Sequence, residues 1–141
     1  MDRLIIRHGF LLILLALLGG VAAPFMINPR MGVGAHTLGF LGGLVLIAIG
    51  ATKPVFVLDP RLWRAIHVCW FAAAYGNWAT TVFAGLTGAS YLTPIAGAGT
   101  KGTVLAEAIT FAFFVMVGVT SVIGTAIAVY GLWWGTNRSQ S

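Results

Sequence analysis

One histidine stands where a histidine can do chemistry. His36 lies just inside a long apolar run, within Asn28-Pro-Arg-Met-Gly-Val-Gly-Ala-His-Thr-Leu-Gly-Phe-Leu-Gly-Gly43. On a helix, Gly32, Gly39, Phe40 and Gly43 fall at i−4, i+3, i+4 and i+7 from it and share its face. A histidine among residues with almost no side chains leaves room for a flat ligand, or for another backbone. An ionisable group at membrane depth marks a functional site by default. The same pattern equally describes a packing seam. Gly39 and Gly43 form a GxxxG pair, and the histidine would then only bond a neighbouring carbonyl.

Two other polar groups reach a similar depth. Tyr75-Gly-Asn-Trp78 puts Asn77 in the middle of an apolar helix, with Thr81 one turn on. A carboxamide there needs a partner: another helix, or a ligand in a polar pocket. Glu107 is the sole acidic residue inside an apolar run, with Phe111 and Phe114 on its face. It needs a cation, a proton or a polar pocket, and Arg30 is the better-placed cation because it leads into the His36 helix. His8 and His67 sit near the opposite end, so a second axial histidine at the depth of His36 is not expected. The single cysteine, Cys69, excludes an internal disulfide. There is no phosphate loop, HExxH or paired-cysteine motif.

These residues must be positioned by membrane helices. Only 8% of the 141 residues are charged and 59% are hydrophobic, against about 25% charged in soluble domains. The net charge of +5 does not point to nucleic acid, because the cations cap apolar runs instead of forming a basic stripe. The fold class expected is an all-α integral membrane protein, one four-transmembrane-helix bundle. Its spans are about 4–26, 33–57, 62–86 and 104–134. The first run could pass for a secretory signal, but Pro24 directly follows its small residues, so it reads as a helix. Asn28-Pro-Arg reads as a turn, Pro54 as a helix end, and Asp59-Pro60 as N-cap and first residue of the third helix. Residues 87–103 read as a long loop, of the kind that walls a site. Trp133 and Trp134 suit an interfacial belt, before a polar tail from Asn137 to Ser141. Arg3, Arg7, Lys53, Arg61, Arg64 and Arg138 share one side, and Arg30 and Lys101 the other. Six against two places both termini in the cytoplasm. His36 and Glu107 then lie in the outer half.

Asn28-Pro-Arg30 followed by His36, then Tyr75-Gly-Asn-Trp78, then Pro94-Ile-Ala-Gly-Ala-Gly99 running on to Gly102 and Glu107, resemble the hydroxylaminobenzene mutases. The likeness covers about Arg7 to Gly135. That family is related to styrene oxide isomerase, a trimeric membrane enzyme that holds haem b through an Ala-His pair like Ala35-His36; the His8-Gly9 pair is also similar. The resemblance implies an isomerase turning an aryl hydroxylamine into an aminophenol. Ferric haem b on His36 would be the cofactor, with Arg30, Gly39 and Gly43 beside it. Asn77, Tyr75 and Glu107 would be the catalytic groups. It implies a small aromatic substrate, a homotrimer, and a bacterial-type inner membrane. Two departures weigh against epoxide turnover. The epoxide isomerase carries an asparagine where this chain has Gly42, and its tyrosine falls on Thr81. The alternatives are an epoxide isomerase on the same scaffold, or a non-enzymatic membrane subunit.

Overall fold

The computed structural model describes residues 1–133, which are helical with no strand. Trp134, Arg138 and the tail from Asn137 to Ser141 lie outside the described residues. Helix α1 is Arg3–Ala22, α2 is Pro29–Thr52 and α3 is Pro60–Thr87. A single turn, α4, is Pro94–Gly97, and α5 is Val104–Trp133. With their trailing 3-10 turns, α1 and α2 are long and apolar enough to cross a membrane, and so is α5. At 28 residues α3 is long enough, but His67, Tyr75, Asn77, Thr80 and Thr81 make its middle more polar.

Helix ends follow local chemistry. Asp59 caps α3, its Oδ1 accepting from the amides of Arg61 (2.8 Å) and Leu62 (2.9 Å), and Pro60 opens the helix. Pro54 lies in the 3-10 turn that ends α2. Asn-Pro-Arg differs from the turn expected: Asn28 is the N-cap of α2 and Pro29 its first residue, so α2 begins four residues early. The physical reason is that proline at the first helical position forfeits a donor that would be unpaired anyway. The loop before α5 also contains α4, which was not expected.

The helices pack in the order α1, α2, α3, α5. Among the described residues, helix α2 lies against both α1 and α3 and α3 against α5, with no substantial packing of α1 on α5. The four long helices therefore form an open succession instead of a closed ring. The α1–α2 seam is the tightest. A Cβ on Gly43 would sit 2.6 Å from the Gly9 carbonyl oxygen, and one on Gly9 would sit 2.6 Å from that of Gly43.

Each end of the molecule is tied by one polar residue. Asn28, 2% exposed, caps α2 through its Oδ1. Its Nδ2 donates among the Ala96 and Gly97 carbonyls and Thr100 Oγ1, and its backbone N–H donates to Gly85. It thereby joins α2, the end of α3 and the loop around α4. At the opposite end Asp2 caps α1 and accepts from Lys53 Nζ (3.2 Å) and Trp63 Nε1 (3.4 Å), with His67 Nε2 at 3.4 Å. Burial pushes the Asp2 carboxyl up, but hydrogen bonds from Lys53, Trp63 and the Ile5 amide outweigh it. The group stays below its ordinary value of 3.8.

Two outcomes follow from this packing. Gly43→Ala should cost about 1–3 kcal/mol through backbone overpacking. Gly118→Ala, where nothing lies within 4 Å, should leave unfolding in detergent unchanged or improved. The lowered Asp2 carboxyl adds stability above its ordinary value, and that stability is lost as pH falls through the folded-state value. The melting-temperature gap between wild type and Asp2→Asn should be present at pH 7 and close below about pH 4. A gap independent of pH would show that the carboxylate's charge plays no part.

Candidate functional site

His36 projects from α2 across α1. Its Nδ1 lies 2.9 Å from the Ala16 carbonyl oxygen, which can only accept, so Nδ1 carries the proton. Nε2 then keeps its lone pair and has no partner among the described residues. Gly20 makes this possible, since a Cβ there would lie 2.6 Å from His36 Nδ1. Leu17, Gly20, Val21 and Val33 line an open apolar groove around the imidazole. Gly20 was not singled out in the sequence, because periodicity on α2 carries no information about α1.

The glycines of the His36 face serve packing. A Cβ on Gly39 would meet Trp78 Cδ1 at 2.5 Å and Ala16 Cβ at 2.7 Å, and Gly43 meets Gly9 and Ile13. The space expected beside His36 for a flat ligand is thus filled by protein at Gly39 and Gly43. The seam reading of the GxxxG pair matches this geometry. Phe40 turns outward and is 38% exposed. Arg30 is exposed in the first turn of α2.

Glu107 does not meet Arg30, and among the described residues it has no ion pair. Its Oε1 accepts from the amides of Ser90 and Gly102 (3.0 Å each), and its Oε2 from Tyr91 (2.9 Å) and Ser90 (3.1 Å). The expected cation is replaced by three backbone donors, which satisfy a carboxylate as well. Glu107 therefore holds both ends of the loop around α4 to the first turn of α5. Tyr75 is also occupied. Its hydroxyl donates to the His8 carbonyl (3.0 Å) and accepts from His8 Nδ1 (3.1 Å), beside a stacked Phe71.

Asn77 differs from these. It lines a cavity of about 150 Å³ between α2, α3 and α5, with Gly42, Trp70, Ala74 and Ser121 among its neighbours. Its carboxamide makes no hydrogen bond among the described residues. Trp70 adds an indole N–H that is buried without an acceptor. A predominantly apolar cavity of this size is enough for one benzene ring. The unpaired carboxamide gives such a ring one polar anchor.

The structure does not bring the expected residues onto one point. The α2 residues of the Asn77 cavity, Leu38, Leu41 and Val45, lie about half a turn around the axis from His36. The exposed ridge of Thr37, Phe40 and Leu44 stands between the two. His36 and the cavity flank α2 on opposite sides, about 10 Å apart.

The chain is 33% identical over 131 residues to hydroxylaminobenzene mutase HabB of Ectopseudomonas oleovorans, covering 92% of this chain and 80% of that protein. It is 35% identical over 121 residues to hydroxylaminobenzene mutase HabA of the same organism, covering 83% and 88%. No solved structure matches. The model of the styrene oxide isomerase family matches residues 1–133, and this chain belongs to that family.

Proposed function

We propose that this isomerase rearranges a small aryl hydroxylamine to an aminophenol inside the membrane. The observation that carries the reading is the cavity at Asn77, with room for one aromatic ring and an unpaired carboxamide in its wall. The mutases of Ectopseudomonas oleovorans, named for hydroxylaminobenzene, supply the substrate class. In the reaction oxygen leaves nitrogen and appears on a ring carbon, and the ring proton passes to nitrogen. Atoms and electrons balance within one molecule, so no external reductant is needed.

Haem b is the cofactor of this reading, and the residues present fit it. His36 Nδ1 is bound to the Ala16 carbonyl, the outer-shell contact that frees Nε2 to ligate a metal. The groove beside it is apolar and open. When bound, a ferric haem supplies Lewis acidity toward the hydroxylamine oxygen. The remaining work belongs to the chain. Asn77 hydrogen-bonds the hydroxylamine and fixes the ring's orientation. The Trp70 ring, in the same wall, faces positive charge that develops on the substrate as the N–O bond lengthens. Tyr75, locked by His8, holds α3 against α1 two residues before Asn77. Glu107 acts through the loop that it anchors.

Because α2 separates His36 from Asn77, one copy cannot present both to one small substrate. The centre forms between copies, with His36 from one and the Asn77 cavity from its neighbour, in a homotrimer. All four long helices span the inner membrane, with both termini cytoplasmic and the Glu107 loop outside.

Epoxide isomerisation is the less supported reading, for two local reasons. A Cβ on Gly42 would lie 3.2 Å from the Ala74 Cβ, so an asparagine there would fill the cavity. The Thr81 hydroxyl is spent on the Asn77 carbonyl at 2.7 Å.

Purified protein should convert phenylhydroxylamine to an aminophenol without added reductant, and styrene oxide far more slowly. Asn77→Leu should lower turnover at least about 10²-fold. A preference for styrene oxide, or full activity in Asn77→Leu, overturns the reading. His36→Ala should insert normally and lose the Soret band of the purified protein. Undiminished Soret absorption in that variant removes His36 as the ligand.

A further inference from the structure

A second cavity has no place in the account above. It opens between α3 and α5, measures about 220 Å³, and is lined by Gly76, Ala79, Thr80, Phe83, Ile109 and Phe113. Ile109 is 37% and Phe113 48% exposed, so in a membrane the cavity opens sideways to lipid.

Its hydroxyl is the informative group. Serine and threonine hydroxyls in apolar helices normally return to the carbonyl one turn back. Here Thr37, Thr52, Thr81, Thr87, Thr120, Ser121 and Thr125 all do so. Thr80 and Thr110 are the exceptions in the long helices. Thr80 is 5% exposed, lines the cavity, and has no hydrogen-bond partner among the described residues. Thr110, between Ile109 and Phe113 on the facing helix, is 2% exposed and its hydroxyl is buried without a partner. A buried hydroxyl left unpaired costs about 1–3 kcal/mol in a native structure. Thr80 is the one that lines the cavity, and an occupant that accepts a hydrogen bond would satisfy it.

We propose that the α3–α5 cavity is a lateral binding site for a small aromatic molecule with one hydrogen-bond-accepting substituent, held by the Thr80 hydroxyl between Phe83 and Phe113. The ligand class rests on the reading of the chain as an aryl hydroxylamine isomerase. The site itself rests on the cavity and the unpartnered Thr80 hydroxyl in its wall. About 150 Å³ accepts benzene, so 220 Å³ accepts a ring with a short substituent. Gly76 and Ala79 create the hollow, and the phenylalanines supply ring faces. An acyl chain would leave the Thr80 hydroxyl unpaired. Gly76 lines this cavity and Asn77, the next residue, lines the other. An aromatic molecule dissolved in the bilayer thus meets this site one residue away from the reaction cavity.

The test is binding of 4-fluoronitrobenzene, and of fluorobenzene as the control without an acceptor, to the full chain in lipid nanodiscs, followed by fluorine NMR. Thr80→Val keeps the shape and removes the donor. It should weaken 4-fluoronitrobenzene binding about fivefold and leave fluorobenzene unchanged. Ala79→Leu fills the hollow and should weaken both. Equal affinities in wild type and Thr80→Val for both probes overturn the proposal. So does displacement of both probes by dodecane irrespective of Thr80, which would identify an acyl-chain groove. Failure to bind either probe, with Phe113→Cys cross-linking between copies, would identify a subunit seam and also overturn it. Thr80-dependent binding in a protein that does not turn over phenylhydroxylamine sinks the activity but keeps the site. Turnover without Thr80-dependent binding does the reverse.

Discussion

The glycine seam between α1 and α2 is the constraint on which the rest depends. Gly9 and Gly43 bring two backbones to a separation that no side chain permits. In lipid there is little hydrophobic drive between helices, so such close packing is what holds them. The same approach brings Ala16 within reach of His36, and Gly20 clears the room for its ring. The imidazole is therefore oriented by the seam itself. One proton is committed to α1, and the free nitrogen is available at the groove.

Polar groups in this fold divide into those already paired and those left open. Asn28, Asp2, Glu107 and Tyr75 are paired, and each ties segments distant in sequence. Asn77, Trp70 Nε1 and Thr80 are not, and they line cavities, while Thr110 and Trp78 Nε1 are buried without a partner away from them. Leaving polar groups unpaired among apolar helices is costly. That cost is offset when a ligand supplies the missing bonds. This is why the proposed catalytic reading rests on Asn77, while Glu107, which also lines an open pocket, already has its oxygens bonded to main-chain amides.

Much of the helical layout was legible in the sequence, and much of the site was not. Asp59-Pro60 announced the start of α3, because capping is a local event that the sequence writes directly. Asn28-Pro29 carries the same signature and opens α2 where the Asn-Pro-Arg string alone suggests a turn. Periodicity identified which residues share a face with His36. It could not say that Trp78 and Ala16 fill the space over Gly39. The lone carboxylate Glu107 signalled a need for a partner. The partner proved to be main-chain amides, which leave no mark in a sequence, so Arg30 was the natural but wrong choice. Similar depth for His36 and Asn77 suggested convergence. Depth fixes height along the bundle but not the angle around α2, and the angle separates them.

The central claim is that His36 and Asn77 act on one substrate from different copies. Mixed-subunit complementation addresses it most directly. Cells would co-express His36→Ala and Asn77→Leu chains bearing different affinity tags, and mixed oligomers would be purified on both tags. Each variant alone should be inactive, and the mixed oligomer should regain a substantial fraction of wild-type phenylhydroxylamine turnover, because one interface keeps both native groups. Mixed oligomers as inactive as either parent would contradict the account and return both residues to a site within one chain.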